Sequence, residues 1–293
     1  MAADLGGIST VTTNRPSVPL NAGQGCIPAA LRWIANGLAL AWPLIAIPAL
    51  AADLTARDVT ALFHKAEAHA RVNLSGKDLS NLDLAGLDFK AAILAKANLY
   101  GSDLTDANLK DTDLSGAKLD RTILRKADFS GANLQGASIM APSVFSSTNF
   151  DHADAPIFAR ARLRGTRIAA RLDGADFRGA DLTGARIGPN DRSAEAGMAP
   201  ASRSPGMDFS GATMTGVEIR EVEMTFARFT GASLVNAKLI NLELSRADFS
   251  GADLTGADLS GCNLDGANLS GVKGFDTVKG LESVRNLDRA QRG

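Results

Sequence analysis

The chain has 293 residues, of which 45% are hydrophobic and only 5% aromatic, and a formal net charge of −1. That balance excludes both a strongly basic nucleic-acid binder and a strongly acidic protein, and two cysteines exclude a disulfide-stapled framework. A high hydrophobic fraction with few aromatics implies a thin core built from Leu and Ala.

Residues 1–51 read as a leader. Met1 to Leu31 is polar, with Arg15 its only basic residue; it is either a disordered extension or the product of a start site placed too early. Trp33 to Ala51 is an apolar run of nineteen, preceded by Arg32 and closed by Ala49-Leu50-Ala51. A basic residue, an apolar stretch and an A-x-A site predict a secretory signal peptide, with the mature chain beginning at Ala52. The competing reading is a transmembrane anchor over 33–51, which Pro43, Pro48 and Asn36 weaken. Cleavage leaves 29 basic and 31 acidic residues, a net charge of −2. Gly23-Gln24-Gly25-Cys26 is a poor lipoprotein signal. Cys262 then becomes the mature chain's single cysteine, at a small inward position.

Residues 52–71 follow as an N-terminal cap. Asp58 to Arg71 has helical spacing, with Val59, Leu62, Phe63, Ala66 and Ala70 on one face and Thr55 or Asp58 as the capping residue. From Val72 the chain repeats every five residues. Leu74, Leu79, Leu84, Phe89 and Leu94 open a series that runs through Phe129 to Val144. Two places before each centre sits a small residue, usually Ala; one place before sits Asp or Asn; two places after, often, sits Gly. Ala247-Asp248-Phe249-Ser250-Gly251 shows the unit cleanly. Five residues match neither the 3.6 of a helix nor the two of a simple strand. The spacing predicts short extended pieces joined by corners at which Gly accommodates positive φ. The centre and the preceding small residue point inward, and the Asp or Asn points outward as a solvated, turn-compatible residue.

This unit resembles that of the pentapeptide-repeat family over roughly Val72 to Val272. The resemblance implies an all-β solenoid, a right-handed quadrilateral β-helix with four pentapeptides per coil. Phe209, Phe229 and Phe249, with Leu269 next, recur at twenty residues, as do Phe89, Leu109 and Phe129. Each set is expected to stack on one interior face. About thirty-six units give about nine coils and a rod of roughly 43 Å. The repeat block 72–188 is irregular at 145–175: register slips to Phe150, His152 to Phe158 does not fit the unit, and one residue is missing between Ile168 and Phe177. Residues 189–206 carry no repeat and read as an exposed loop insertion. The repeat resumes over 207–272. Residues 273–293 form a C-terminal cap, in which Phe275, Val278, Leu281, Val284 and Leu287 suggest a turn and short helix. Short capping helices are therefore expected at both ends, either of which could make a homodimer contact, as family members often do at a terminus.

The chain offers no catalytic, cofactor or metal constellation. His64 and His69 are five apart and do not face one another on a helix, and His152 stands alone. The expectation is a non-enzymatic, cofactor-free bacterial protein, exported to the periplasm or envelope, that presents a rigid face to a protein or envelope partner. Nucleic acid is not expected, and membrane association is expected only if 33–51 is uncleaved. A gyrase-interacting DNA mimic of the quinolone-resistance type is the alternative; an enzyme with a site at 189–206 is the second. The candidate partner surface is the arginine-rich middle: Arg162, Arg164, Arg167, Arg171, Arg178 and Arg186, beside Arg160. With one residue missing from the coil, Arg167 and Arg186 should stack on one outer face, unless Asp173, Asp176 and Asp181 neutralise the cluster locally.

Overall fold

The computed structural model describes residues 53–66, 70–89, 91–144, 152–189 and 203–293. The leader and the apolar segment 33–51, His69, Phe150 and residues 190–202 of the expected loop lie outside them. Among the described residues no helix is long and apolar enough to cross a membrane.

The repeat folds into four walls. A parallel bridge joins each outward residue to the one a coil later: Asn73 to Ile93 (wall 1), Asp78 to Asn98 (wall 2), Asp83 to Asp103 (wall 3) and Asp88 to Asn108 (wall 4). Wall 4 continues without a break through Asp128, Ile157, Asp176, Asp208, Arg228, Asp248 and Asn268 to Gln291. Fifteen buried centres run from Leu74 to Val144, eight from Phe158 to Ser204 and thirteen from Phe209 to Leu269, which makes nine coils of four. On wall 2 the bridges lengthen into a five-stranded parallel sheet: β1 (Ser138–Met140), β2 (Arg167–Ala169), β3 (Arg186–Ile187), β4 (Glu218–Arg220) and β5 (Lys238–Ile240).

Most corners are closed by a hydrogen bond such as Lys77 N to Leu74 O (3.2 Å), with positive φ at the residue before the donor, here Gly76 (φ 66°). Glycine usually supplies it, but Asp111 (φ 54°), Arg160 (φ 58°) and Phe226 (φ 60°) take it too. The outward Asp residues are less solvated than the sequence suggests. Asp113 Oδ1 accepts from Ser115 N (3.1 Å) on its own coil and from Asn133 Nδ2 (2.9 Å) on the next. Asn98 over Asp78, Asn108 over Asp88 and Asn268 over Asp248 repeat this arrangement. Alternating Asn with Asp along a wall replaces carboxylate repulsion at about 4.8 Å with a hydrogen bond.

Inside wall 4 the aromatic column is longer than expected. Phe129, Phe158, Phe177, Phe209, Phe229 and Phe249 stack in sequence, with centroids 4.7–5.2 Å apart and rings within 15° of parallel. Phe158, which seemed to fall outside the unit, is thus a coil centre. An insertion hides it: Ser143 to Ile157 spans fourteen residues where one unit takes five. A second insertion lies between Arg186 and Arg203, on the step from wall 2 to wall 3. The coil resumes at Arg203, earlier than the sequence boundary of 207, because Ser204 takes the inward centre and is buried.

Helix α1 (Ala56–Lys65) starts two residues before, and ends six before, the span read from spacing. Thr55 and Asp58 form a reciprocal capping box: Thr55 Oγ1 accepts from Asp58 N (3.2 Å), and Asp58 Oδ2 accepts from Thr55 N (3.1 Å). Val59 and Phe63 are buried over the first coil, with Phe63 edge-on to Phe89 at 5.3 Å, whereas Leu62 is 41% exposed. The C-terminal cap consists of short 3-10 helices rather than an α-helix. Lys273, Lys279, Arg285 and Gln291 bridge to Asp253, Asp258, Asn263 and Asn268, so each side of the last coil takes six residues instead of five. The extra residue forms 3-10 turns at Phe275–Thr277, Leu281–Ser283 and Leu287–Arg289. Their apolar residues pack half-buried on the end of the core.

Candidate functional site

The six arginines singled out from sequence do not share a face. Arg162 lies on wall 1 and Arg164 two residues further along; Arg167 and Arg186 lie on wall 2; Arg178 follows Asp176 of wall 4. Arg171 lies between Arg167 and Asp176, where the coil is one residue short and Arg167 to Asp176 spans nine.

Three of them are neutralised by the three aspartates named above. Arg164 pairs with Asp181 at 3.6 Å. Arg171 holds Asp173 through Nη2 (2.9 Å) and Nε (3.1 and 3.2 Å), and Asp173 is buried. Arg178 pairs with Asp176 at 2.6 Å. Burial works against the Asp176 carboxylate, but hydrogen bonds from the Arg178 side chain and backbone, with its charge, outweigh it and hold the carboxyl below the usual range. The exposed pairs of Arg164 and Arg178 neutralise charge locally and contribute little stability.

Arg167 and Arg186 differ. They are register partners on β2 and β3, both exposed, and no carboxylate of the described residues lies within salt-bridge distance of either. Above them Glu218 accepts a hydrogen bond from Arg220. That bond, followed by the charges of Arg220, Lys238 and Arg186, outweighs burial and holds the Glu218 carboxyl below its ordinary value. A shallow cleft of about 550 Å³ runs along this sheet, lined by Met140, Arg167, Arg186, Gly188, Pro189 and Arg220 among others. Gly188 ends β3 against the next strand: a Cβ there would lie 2.4 Å from the Arg220 carbonyl oxygen. Arg220 and Lys238 escaped the sequence reading because the insertion after Arg186 breaks the twenty-residue spacing that would have placed them above it.

The pentapeptide repeats family model matches the chain in eight copies, over residues 73–111, 107–140, 157–187 and 232–271. No curated protein matches it. Among solved structures it is similar to HetL, a pentapeptide repeat protein involved in heterocyst differentiation regulation from the cyanobacterium Nostoc sp. strain PCC 7120. That match has 21% identity, 81% of this chain and 94% of that chain covered, and a TM-score of 0.44. It is also similar to QnrB1, a plasmid-mediated fluoroquinolone resistance protein (21% identity, 65% and 91% covered, TM-score 0.37). A third likeness is to a pentapeptide repeat protein from the Arabidopsis thaliana thylakoid lumen (29% identity, 45% and 79% covered, TM-score 0.24). Likenesses at these scores carry no argument about function.

Proposed function

From the premise that the chain belongs to the pentapeptide-repeat family, we propose that it is a non-catalytic, exported scaffold that presents wall 2 to an anionic protein or envelope partner. The single observation that carries this reading is the stacking of Arg167 on Arg186, neither with a carboxylate of the described residues within salt-bridge distance, on the longest continuous sheet of the described residues; Glu218, next in register above Arg186, is hydrogen-bonded to Arg220 instead. Like charges held one strand apart repel, and an anionic partner relieves that cost. Guanidinium groups suit carboxylate and phosphate recognition. The Arg32-led apolar run and the Ala49-Leu50-Ala51 site support export. The half-buried Phe275, Val278, Leu281 and Leu287 of the last coil suit the homodimer contact expected at a terminus.

A DNA-mimic reading finds less support. It needs a free acidic face, and the carboxylates of wall 4 are engaged: Asp128 with Lys110 (3.1 Å), Asp176 with Arg178 (2.6 Å) and Asp248 with Thr230 (3.0 Å). The test has two arms. Cell fractionation with N-terminal sequencing should find a mature chain beginning at or near Ala52 outside the cytoplasm; an intact N-terminus in the soluble cytoplasmic fraction overturns export. Capture of an envelope component should weaken on Arg167→Ala/Arg186→Ala and with rising salt. Unchanged recovery with no salt dependence overturns the wall 2 surface.

A further inference from the structure

A second group of arginines converges away from wall 2. The corner between walls 4 and 1 carries Ala91, Asp111, Gly131 and Arg160 on successive coils. Gly131 has no side chain, and a Cβ there would lie 2.3 Å from Asp111 Oδ1. The Asp111 carboxylate takes that space, and beside it lies a cleft of about 410 Å³ bounded by Arg71, Asp111, Asp113, Asn133, Arg160 and Arg162. Arg71 reaches this cleft from before the first coil, and its Nε donates to the Ala91 carbonyl oxygen at 2.5 Å on the way. Arg160 and Arg162 enter from the opposite side, some ninety residues later in the sequence.

Three guanidinium groups therefore meet two carboxylates. Of these, Asp113 is already engaged by Ser115 and Asn133. No carboxylate of the described residues lies within salt-bridge distance of Arg71, Arg160 or Arg162. The neighbouring Arg164, Arg171 and Arg178 all have such partners. Arg160 also holds φ at 58°, where glycine, the common residue at these corners, would be unstrained. A long cation kept at a strained corner, aimed with two others into one cleft, is the arrangement that binds oxyanions by forked hydrogen bonds.

We propose that this cleft binds a compact polyanion with at least two oxyanion groups, phosphate or carboxylate, clamped between Arg71 on one side and Arg160 and Arg162 on the other. The site lies on a different wall from the proposed partner surface and does not depend on it. The test is calorimetric titration of the full chain with pyrophosphate and, separately, with citrate. Saturable 1:1 binding of either probe is expected, and which one binds identifies the anion class. Affinity should fall at least tenfold in Arg71→Gln and in Arg160→Gly, and should hold in Arg228→Gln, an exposed arginine of wall 4 that lines neither cleft. Glycine adopts positive φ freely, so Arg160→Gly removes the guanidinium while leaving the corner intact. No saturable binding of either probe, undiminished binding in Arg160→Gly, or equal loss in Arg228→Gln would overturn the proposal.

Discussion

Replacing Phe209 by Leu should cost more than replacing Phe129 by Leu, although both rings are fully buried in the same column. Phe209 lies between two rings, Phe177 at 5.0 Å and Phe229 at 5.2 Å. Phe129 has one stacked ring, Phe158 at 5.0 Å, and Leu109 on the preceding coil. Leu109 and Leu269 occupy the same column position in other coils, so a leucine fits the space without forcing the walls apart. Offset-stacked aromatic pairs contribute about 0.5–1.5 kcal/mol each beyond the area they bury. Phe129→Leu should then lose about one such increment, and Phe209→Leu about two. Full truncation, Phe129→Ala, should cost roughly 3–5 kcal/mol because a cavity is added. Denaturant titration gives the totals, and amide exchange locates them. Each coil touches only its neighbours, so protection lost in Phe209→Leu should centre on the coils of Phe177 and Phe229. Equal costs at the two positions would show that the rings contribute only as apolar area.

Other consequences follow from the walls and corners. Asp113→Asn should change stability by about 0.5 kcal/mol or less, since an amide oxygen can accept the same two hydrogen bonds, whereas Asn133→Asp places carboxylates one strand apart and should destabilise more. Gly188→Ala should cost more than Gly216→Ala by unfolding titration: both have positive φ, but the new Cβ would meet the Arg220 backbone at 2.4 Å in one and open space in the other. The Asp78 carboxyl is held below its ordinary value, chiefly by its Ser80 hydrogen bonds, and Asp253 likewise by Thr255. A depressed folded pKa stabilises above the unfolded value of about 3.9, and that stability is lost as pH falls below it through the folded values. Acid titration should accordingly show loss beginning near pH 4 and none between pH 5 and 7. Burial pushes the Cys262 thiol up to about 12, and its Sγ lies 3.0 Å from the Leu239 carbonyl oxygen, so thiol reagents should label it only at the rate of unfolding.

Much of the fold is legible because one spacing serves three purposes at once. A centre every five residues fills the core, an outward Asp or Asn meets its counterpart twenty residues later, and a corner residue closes each side. What escaped the sequence was displaced by changes in count. Phe158 is one coil above Phe129, yet twenty-nine residues away, because of the first insertion. The last coil has apolar residues every third position, which suits a helix and equally suits a six-residue side with a 3-10 turn; only the bridges from Lys273 to Gln291 distinguish them. The ion pairs were more accessible than they looked. Lys110 meets Asp128 eighteen residues on, a corner residue reaching the next coil's outward position, and Arg164 meets Asp181 at seventeen because the coil between them is one residue short.

The same counting explains why the candidate sites sit at the irregular coils. In an uninterrupted block each outward residue has a predictable neighbour twenty residues later, and where Asn lies over Asp, as Asn98 over Asp78 and Asn133 over Asp113, a hydrogen bond settles the wall without a ligand. An insertion or deletion moves residues past one another, so Arg186 follows Arg167 where an acid or amide would otherwise serve. It likewise brings Arg160 and Arg162 over Asp111 and Asn133, within reach of Arg71. Where the shift could be compensated nearby, it was: Arg171 and Arg178 each have an aspartate two residues away. Among the described residues, Arg167 and Arg186 on the sheet, and Arg71, Arg160 and Arg162 beside Gly131, form no such pair. They are separate surfaces, and on the two proposals above each would take an anion from outside the fold. Substituting one set and assaying the ligand of the other should therefore leave that ligand's binding intact.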